Sequence, residues 1–180
     1  MIAFPSPRHV RDLASGTREH TLASLALRTL RRDLLGRCER LRDRLGEDTT
    51  RCFGEFVDVA LAAGHPMDWT LHLDFGVFCG VDEPHLWDEL CVAAARRWVR
   101  SSSCGESWLA VSCAASPDRV VVGLRARSLD DGPAVLRGSQ RVRSHLDQPF
   151  RYQTGEGPFT ELGTDWRPYR PRIPRQGVPR

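Results

Sequence analysis

The sequence contains no lysine and no asparagine, and all 26 of its basic residues are arginine. A bias of that breadth points to a GC-rich coding sequence more than to a physical need, so it singles out no individual arginine. The lack of lysine also removes phosphate-loop chemistry: Gly155-Glu156-Gly157 has neither a lysine nor a helical pattern behind it. None of the six cysteines (Cys38, Cys52, Cys79, Cys91, Cys104, Cys113) forms a C-x-x-C pair, and the six histidines show no zinc-ligand spacing. The thiols therefore read as small buried or half-buried side chains in reducing surroundings, and no metal or cofactor is expected. No apolar run is long enough to span a bilayer, and Met1–Pro7 lacks the apolar core of a signal peptide. A cytoplasmic protein without a membrane partner is the expectation. The net charge of +3 gives only modest long-range attraction to nucleic acid. Scattered Ser, His and Asp residues form no spaced constellation, so catalysis is not expected.

At 180 residues the chain is long enough for one domain with a normal core. Residues 1–20, with Pro5 and Pro7 and little periodicity, read as a flexible N-terminal arm. From Leu22 the pattern is helical: Leu30, Leu34, Cys38, Leu41 and Leu45 share a stripe at spacings of three and four. Arginines and acids fill the other positions, a face that reads as solvated rather than RNA-binding. Gly46 is a helix stop. Phe53–Val59 is mixed and apolar, and Gly64-His65-Pro66 breaks it. Trp69–Phe75 alternates strictly, with Trp69, Leu71, Leu73 and Phe75 opposite Thr70, His72 and Asp74, so a strand is expected.

Asp82-Glu83-Pro84 starts a helix through Leu86, Leu90 and Trp98 to the serines at 101–103. Trp108–Cys113 and Val120–Arg127 read as an antiparallel pair joined by the turn at Pro117. In the second strand Val120, Val122 and Leu124 form the core face, with Arg125 and Arg127 opposite. Asp131-Gly132-Pro133 starts a third helix with Val135, Val142 and Leu146 inward, and Phe150–Gln153 returns as a strand. Residues 165–180, rich in proline and arginine, read as a flexible tail.

Several of these segments carry a resemblance. Trp69-Thr70-Leu71-His72-Leu73, Leu86-Trp87-Asp88-Glu89-Leu90, Asp118-Arg119 before Val120–Val122, Arg141–Pro149 and Arg151-Tyr152-Gln153-Thr154 follow in the order of motifs of the translation initiation factor 4E family. More weakly, Thr29–Leu35 sits where that family has Val-x-x-Phe-Trp on its first helix. The chain resembles that family over residues 22–154, most clearly from Trp69 onward.

The resemblance implies an α+β domain over residues 21–164, a curved antiparallel sheet backed by three helices. Its implied function is translation initiation: binding the 7-methylguanosine cap of messenger RNA, with docking of a 4G-type scaffold or a 4E-binding protein through a Tyr-x-x-x-x-Leu-Φ helix. A monomer is expected. By the same resemblance Arg119 would hold cap phosphates, with Arg125 and Arg127 extending the basic groove. Trp166 or Trp108 would stack on the base, and Leu34, Leu35 and Cys38 would form the partner groove.

The chain departs from the family at the cap itself. Arg18, Glu19 and His20 stand where the first clamping tryptophan belongs, and Val59–Ala63 where the second and the guanine-reading glutamate belong. That departure motivates an alternative, a cap-blind 4E-like module that competes for scaffold proteins and regulates translation. A third reading is an all-helical apoptosis-inhibitor-like regulator. It rests on Phe53–Trp69 but lacks the Gly-Arg of that family's motif, and the alternating segments 69–75 and 120–127 argue against it.

Overall fold

The computed structural model describes residues 5–101, 105–125, 134–139 and 149–175. Helices come first: α1 (Pro7–Asp12), α2 (Arg18–Leu35), α3 (Glu39–Leu45), α4 (Thr49–Ala62), α5 (Leu71–Phe78) and α6 (Pro84–Arg100). An antiparallel sheet follows, built from β1 (Ser107–Cys113), β2 (Ser116–Arg125), β3 (Ala134–Ser139), β4 (Phe150–Glu156) and β5 (Arg167–Tyr169), in the spatial order β3-β2-β1-β4-β5. The α+β class and the antiparallel sheet match expectation. The described residues hold six α-helices where three were expected. No described helix is long and apolar enough to cross a membrane.

The leucine stripe falls where its period places it, with Leu30, Leu34, Cys38 and Leu41 buried. It belongs to two helices rather than one. Gly36 ends α2, its N–H donating to the Arg32 carbonyl, and a Cβ there would collide with that same oxygen. The next helix, α3, starts under a carboxylate from elsewhere in the chain: Glu89 accepts from the N–H groups of Arg40 and Leu41 at 3.2 and 3.1 Å. Gly46 at φ 53° ends α3, the stop its position predicts.

The largest departure is residues 69–75, which are not a strand. Thr70 turns the chain and Leu71–Phe78 is a helix. Asp68 starts it: its Oδ1 accepts from the Thr70 N–H at 2.8 Å and the Thr70 hydroxyl at 2.6 Å. Alternation misleads here because no face is solvated. Leu71, His72, Leu73, Asp74 and Phe75 are all buried, so the polar residues at every second position are core residues with internal partners. A helix surrounded by protein on all sides needs no amphipathic period. Gly76 in its middle lets α6 approach, since a Cβ there would lie 2.5 Å from atoms of Leu90 and Trp87.

The start of α6 is as expected, with Glu83 as N-cap and Pro84 in the first turn. Its inner side lies on the sheet, where Gly123 accepts Ala95 and Val99, and Trp87 meets Phe150 edge-on at 4.6 Å. The predicted hairpin forms, with Ser107 opposite Arg125 and Cys113 opposite Ser116, but it turns at Ala114-Ala115, and Pro117, expected in the turn, lies in β2. Its faces are reversed relative to expectation. Val121, Gly123 and Arg125 face the helices. Val120, Val122 and Leu124 face away and have their own cover, Phe159, Leu162 and Trp166. Both faces of β2 are apolar, so alternation with arginine could not tell which one held the helices.

Val135, expected in a third helix, lies in β3, which pairs with β2 from Ala134 opposite Leu124 to Ser139 opposite Arg119. The rest of that expected helix, Arg127 and Cys104 lie outside the described residues. The N-terminal arm and the tail are ordered where described. Val10 of α1 is buried, and Arg8 pairs with Asp58 at 3.2 Å. β5 pairs with β4, while Tyr169 and Ile173 enter the main core. Proline-rich composition outweighed those two apolar anchors in the reading of the tail.

Gly76→Ala is expected to lower the unfolding free energy by about 1–3 kcal/mol, because neither Trp87 nor Leu90 has free volume to retreat into. Urea denaturation of the variant against the parent measures it, and an unchanged midpoint would contradict the close α5–α6 approach.

Candidate functional site

Apart from Arg127, which lies outside the described residues, the residues expected to hold a cap are each engaged within the chain. On β2, Arg119 forms an ion pair with Asp88 of α6. Arg125 lies over the Trp98 ring, its Cζ 3.7 Å from the centroid, and its Nε donates to the Trp98 carbonyl at 3.1 Å. Trp108 and Trp166 do come together on the outer face of the sheet, but in a small apolar cluster with Leu124, Phe159 and Leu162 over buried Ala110, Val120 and Val122. Phe159 meets Trp108 edge-on at 5.5 Å. Residues 157–166 thus strap that face, held by Gln153, whose side-chain amide donates to the Gly163 carbonyl at 3.0 Å. Gly155 makes room for the Trp108 indole, which a Cβ at that position would overlap. Beside the strap, an open recess of about 870 Å3 is lined by Trp98, Glu106, Arg125, Glu156 and the glycines at 155 and 157.

Leu34, Leu35 and Cys38, expected to line a partner groove, are fully buried in the helical core and present nothing to a partner. The stripe from Leu30 to Leu41 is buried as its period predicts, and it is the side facing the core rather than a partner.

One cluster was missed. His65, Asp74 and Tyr169, from the turn after α4, from α5 and from β5, meet in the interior. His65 Nε2 lies 2.7 Å from Asp74 Oδ2, the Tyr169 hydroxyl donates to that same oxygen at 2.7 Å, and the Arg172 N–H donates to Oδ1 at 3.0 Å. The tautomer follows from the other side of the ring. The Met67 N–H, which can only donate, points to His65 Nδ1 at 2.9 Å, so the ring proton is on Nε2 and goes to Asp74. Both ring nitrogens are occupied and both side chains are 0 % exposed. A histidine so placed has no lone pair for a substrate proton, so this His–Asp pair is a structural brace. Burial, with Asp74 adding to it, pushes the Tyr169 phenol above its ordinary range, which keeps it a neutral donor. Nothing in the sequence signals the cluster, whose members are 9 and 95 residues apart.

His72, on the same helix, is equally buried. Its Nε2 donates to the Asp33 carbonyl at 3.3 Å, and Nδ1 has no partner. Burial holds its pKa down at about 3. Thiol chemistry is suppressed in the same way. Burial pushes Cys38 up to about 12 and Cys113 up to about 11, and raises Cys79 and Cys91. Among the described residues no group of His, Cys, Asp and Glu could hold a metal ion.

An arginine-rich recess lies elsewhere, where α2 and α6 end. Its volume is about 510 Å3, and it is lined by Thr29, Arg32, Asp33, Gly36, Arg37 and Arg100. Asp33 forms an ion pair with Arg97 and sits 4.0 Å from Arg100. Arg97 also donates to the Met67 carbonyl, at 3.2 and 2.7 Å, and so ties α6 to the turn before α5. No protein-family model matches this chain, and no curated protein does.

Asp74→Ala is expected to lower stability by about 3–5 kcal/mol, since it strands the His65, Tyr169 and Arg172 donors in the interior. Tyr169→Phe removes one donor only and costs about 1 kcal/mol. Denaturant unfolding of both variants checks the order, and equal losses would contradict it. His72 sets a second expectation. Between its ordinary value of 6.5 and about 3, the unfolded chain binds a proton that the folded chain does not. Stability therefore falls as pH drops through that window, by up to about 1.4 kcal/mol per pH unit. The unfolding free energy of His72→Leu relative to the parent should shift in the variant's favour by that slope, and a pH-independent difference would exclude His72 as the cause.

Proposed function

We propose that this chain is a non-catalytic interaction module that holds no nucleotide on its sheet and meets its partner through the outward face of α2. The observation that carries the first part is the strap. Residues 157–166 occupy the outer sheet face with Phe159, Leu162 and Trp166, and the two indoles a cap site would need for stacking are packed inside that cluster. Arg119 and Arg125 are likewise committed to Asp88 and to Trp98. These contacts favour the cap-blind form of the 4E-like reading over the cap-binding form. The fully enclosed His65–Asp74 pair supports a module without catalysis.

The surface for a partner follows from exposure. Leu22 and Leu25 are each 55 % exposed and three residues apart on α2, with Arg18, Arg28 and Arg32 exposed along the same helix. An apolar pair among arginines fits an amphipathic helix whose apolar edge is flanked by acids. The Tyr-x-x-x-x-Leu-Φ partner the resemblance implies would supply such an apolar edge, met here at different residues of the same helix. Competition for an initiation scaffold in the cytoplasm is the narrower form of this proposal.

Two measurements test it. Titration with 7-methyl-GTP and with GTP should leave tryptophan fluorescence without a saturable change, whereas quenching by the methylated nucleotide alone would restore the cap reading. A synthetic acidic peptide carrying Tyr-x-x-x-x-Leu-Φ should bind the parent, and Leu25→Glu should weaken it by about tenfold. Leu136→Glu, at the exposed leucine on β3, should leave binding unchanged. No binding, or equal loss in both variants, would end the proposal.

A further inference from the structure

Six guanidiniums gather around the recess where α2 and α6 end. Arg32 and Arg37 come from α2 and the residues after it, Arg96, Arg97 and Arg100 from α6, and Arg137 from β3, on the helix-facing side opposite Val121. The only carboxylate in the lining is Asp33, already shared between Arg97 and Arg100. Among the described residues Arg32, Arg37, Arg96 and Arg137 make no ion pair, whereas Arg44, Arg51, Arg119 and Arg175 each have an acidic partner. Burial and then the like charges of Arg37, Arg137 and Arg100 lower the Arg96 pKa, so the group repels itself when empty.

Helix dipoles account for part of this. Arg32, Arg97 and Arg100 lie in the last turns of α2 and α6, where a cation is favoured. They do not account for Arg37, which lies beyond the end of α2, for Arg96, or for Arg137 on a strand. The lining contains no apolar side chain: it is threonine, glycine, aspartate and arginine. A peptide partner would find no pocket for an anchor there. A chain of phosphates needs none, and planar guanidinium forks match phosphate oxygens in pairs.

We infer that this recess and its arginine rim bind the phosphodiester backbone of a single-stranded nucleic acid. The inference goes beyond the interaction reading and does not rest on it, since the exposed leucines of α2 take no part. A concave floor of about 510 Å3 admits a flexible strand that can fold one phosphate inward. Arg32, Arg37 and Arg100 surround that phosphate, and Arg96 and Arg137 meet the next along the strand.

The test is fluorescence anisotropy of the full chain with labelled oligouridylate and oligothymidylate across a range of sodium chloride. Two phosphate contacts give a slope of log K against log salt of about −1.4 for a single strand. Arg37→Glu with Arg137→Glu should weaken binding at least about tenfold and flatten the slope. Arg11→Glu with Arg18→Glu, which changes net charge equally, should leave affinity within about twofold, and circular dichroism checks that both pairs fold. Preference for RNA adds a 2′-hydroxyl contact to the same site, and equal affinity assigns it to the backbone alone; both uphold the inference. Equal losses in the two variant pairs, no binding of either strand, or equally tight binding of polyglutamate would overturn it. Leu22→Ala with Leu25→Ala should not change nucleic-acid binding, which separates failure here from failure of the partner surface.

Discussion

The rest of the structure depends on the carboxylate of Asp74. It is buried on a central helix, and a carboxylate in that position is tolerated only where hydrogen bonds replace water. Three segments supply them: the turn after α4 through His65, β5 through Tyr169, and the chain just beyond β5 through the Arg172 N–H. Each donor comes from a segment with few other reasons to be where it is. β5 has only three residues, and its pairing with β4 alone would hold it weakly. With the Tyr169 hydroxyl on Asp74 and its ring tilted against Trp69 and Phe150, the short strand becomes the closing edge of the sheet. Once β5 is fixed and β4 ends at Glu156, residues 157–166 have to cross the outer sheet face to join them. The strap over Trp108 thus runs between β4 and a strand that the buried acid helps to fix, and its own Phe159, Leu162 and Trp166 hold it to the outer face.

That chain of dependence explains what could be read in advance. The leucine stripe from Leu30 to Leu41, the proline start of α6, the stop at Gly46, the β1–β2 hairpin and the return at Phe150 are local patterns, and each formed close to where it was expected. Trp69–Phe75 failed because its alternation separates apolar core residues from polar core residues rather than core from solvent. Only the partners of His72 and Asp74, at Asp33 and Tyr169, make the polar half of that pattern affordable. The tail failed for a related reason. Its prolines and arginines signal extension correctly, but an extended segment with Tyr169 and Ile173 can still pair with an edge and fill a core. Among the candidate site residues, Trp108 and Trp166, each expected to stack on a base, pack instead on one apolar cluster. Leu34, Leu35 and Cys38, expected to line a partner groove, are core residues.

Arginine content was the least legible property of all, and the structure divides it by task. Arg44 bonds Glu83 and reaches the carbonyls of Cys79 and Gly80, Arg97 braces two helices and a turn, and Arg125 covers Trp98. These are structural cations whose charge is spent locally, so they add little to the field outside the molecule. Arg32, Arg37, Arg96 and Arg137 differ in making no ion pair among the described residues, a distinction that composition and periodicity do not contain. A formal charge of +3 therefore understates the local charge at the recess where α2 and α6 end, whose lining holds Arg32, Arg37 and Arg100 against the single carboxylate of Asp33.

The two ends of the fold consequently offer different chemistry. On the sheet side the chain satisfies itself: aromatic faces, arginines and backbone edge are met by the strap, by Asp88 and by β5. On the helical side the core is complete by the middle of α2, where Leu30, Leu34 and Leu35 turn inward. That leaves Leu22 and Leu25 unused at one end of the helix and an uncompensated arginine cluster at the other. A helix already anchored through its C-terminal half does not need those leucines for stability, and like charges brought together lower stability rather than raise it. Features that folding neither requires nor rewards are best explained by something outside the chain, which is why both proposed binding surfaces are placed on this side and not on the sheet.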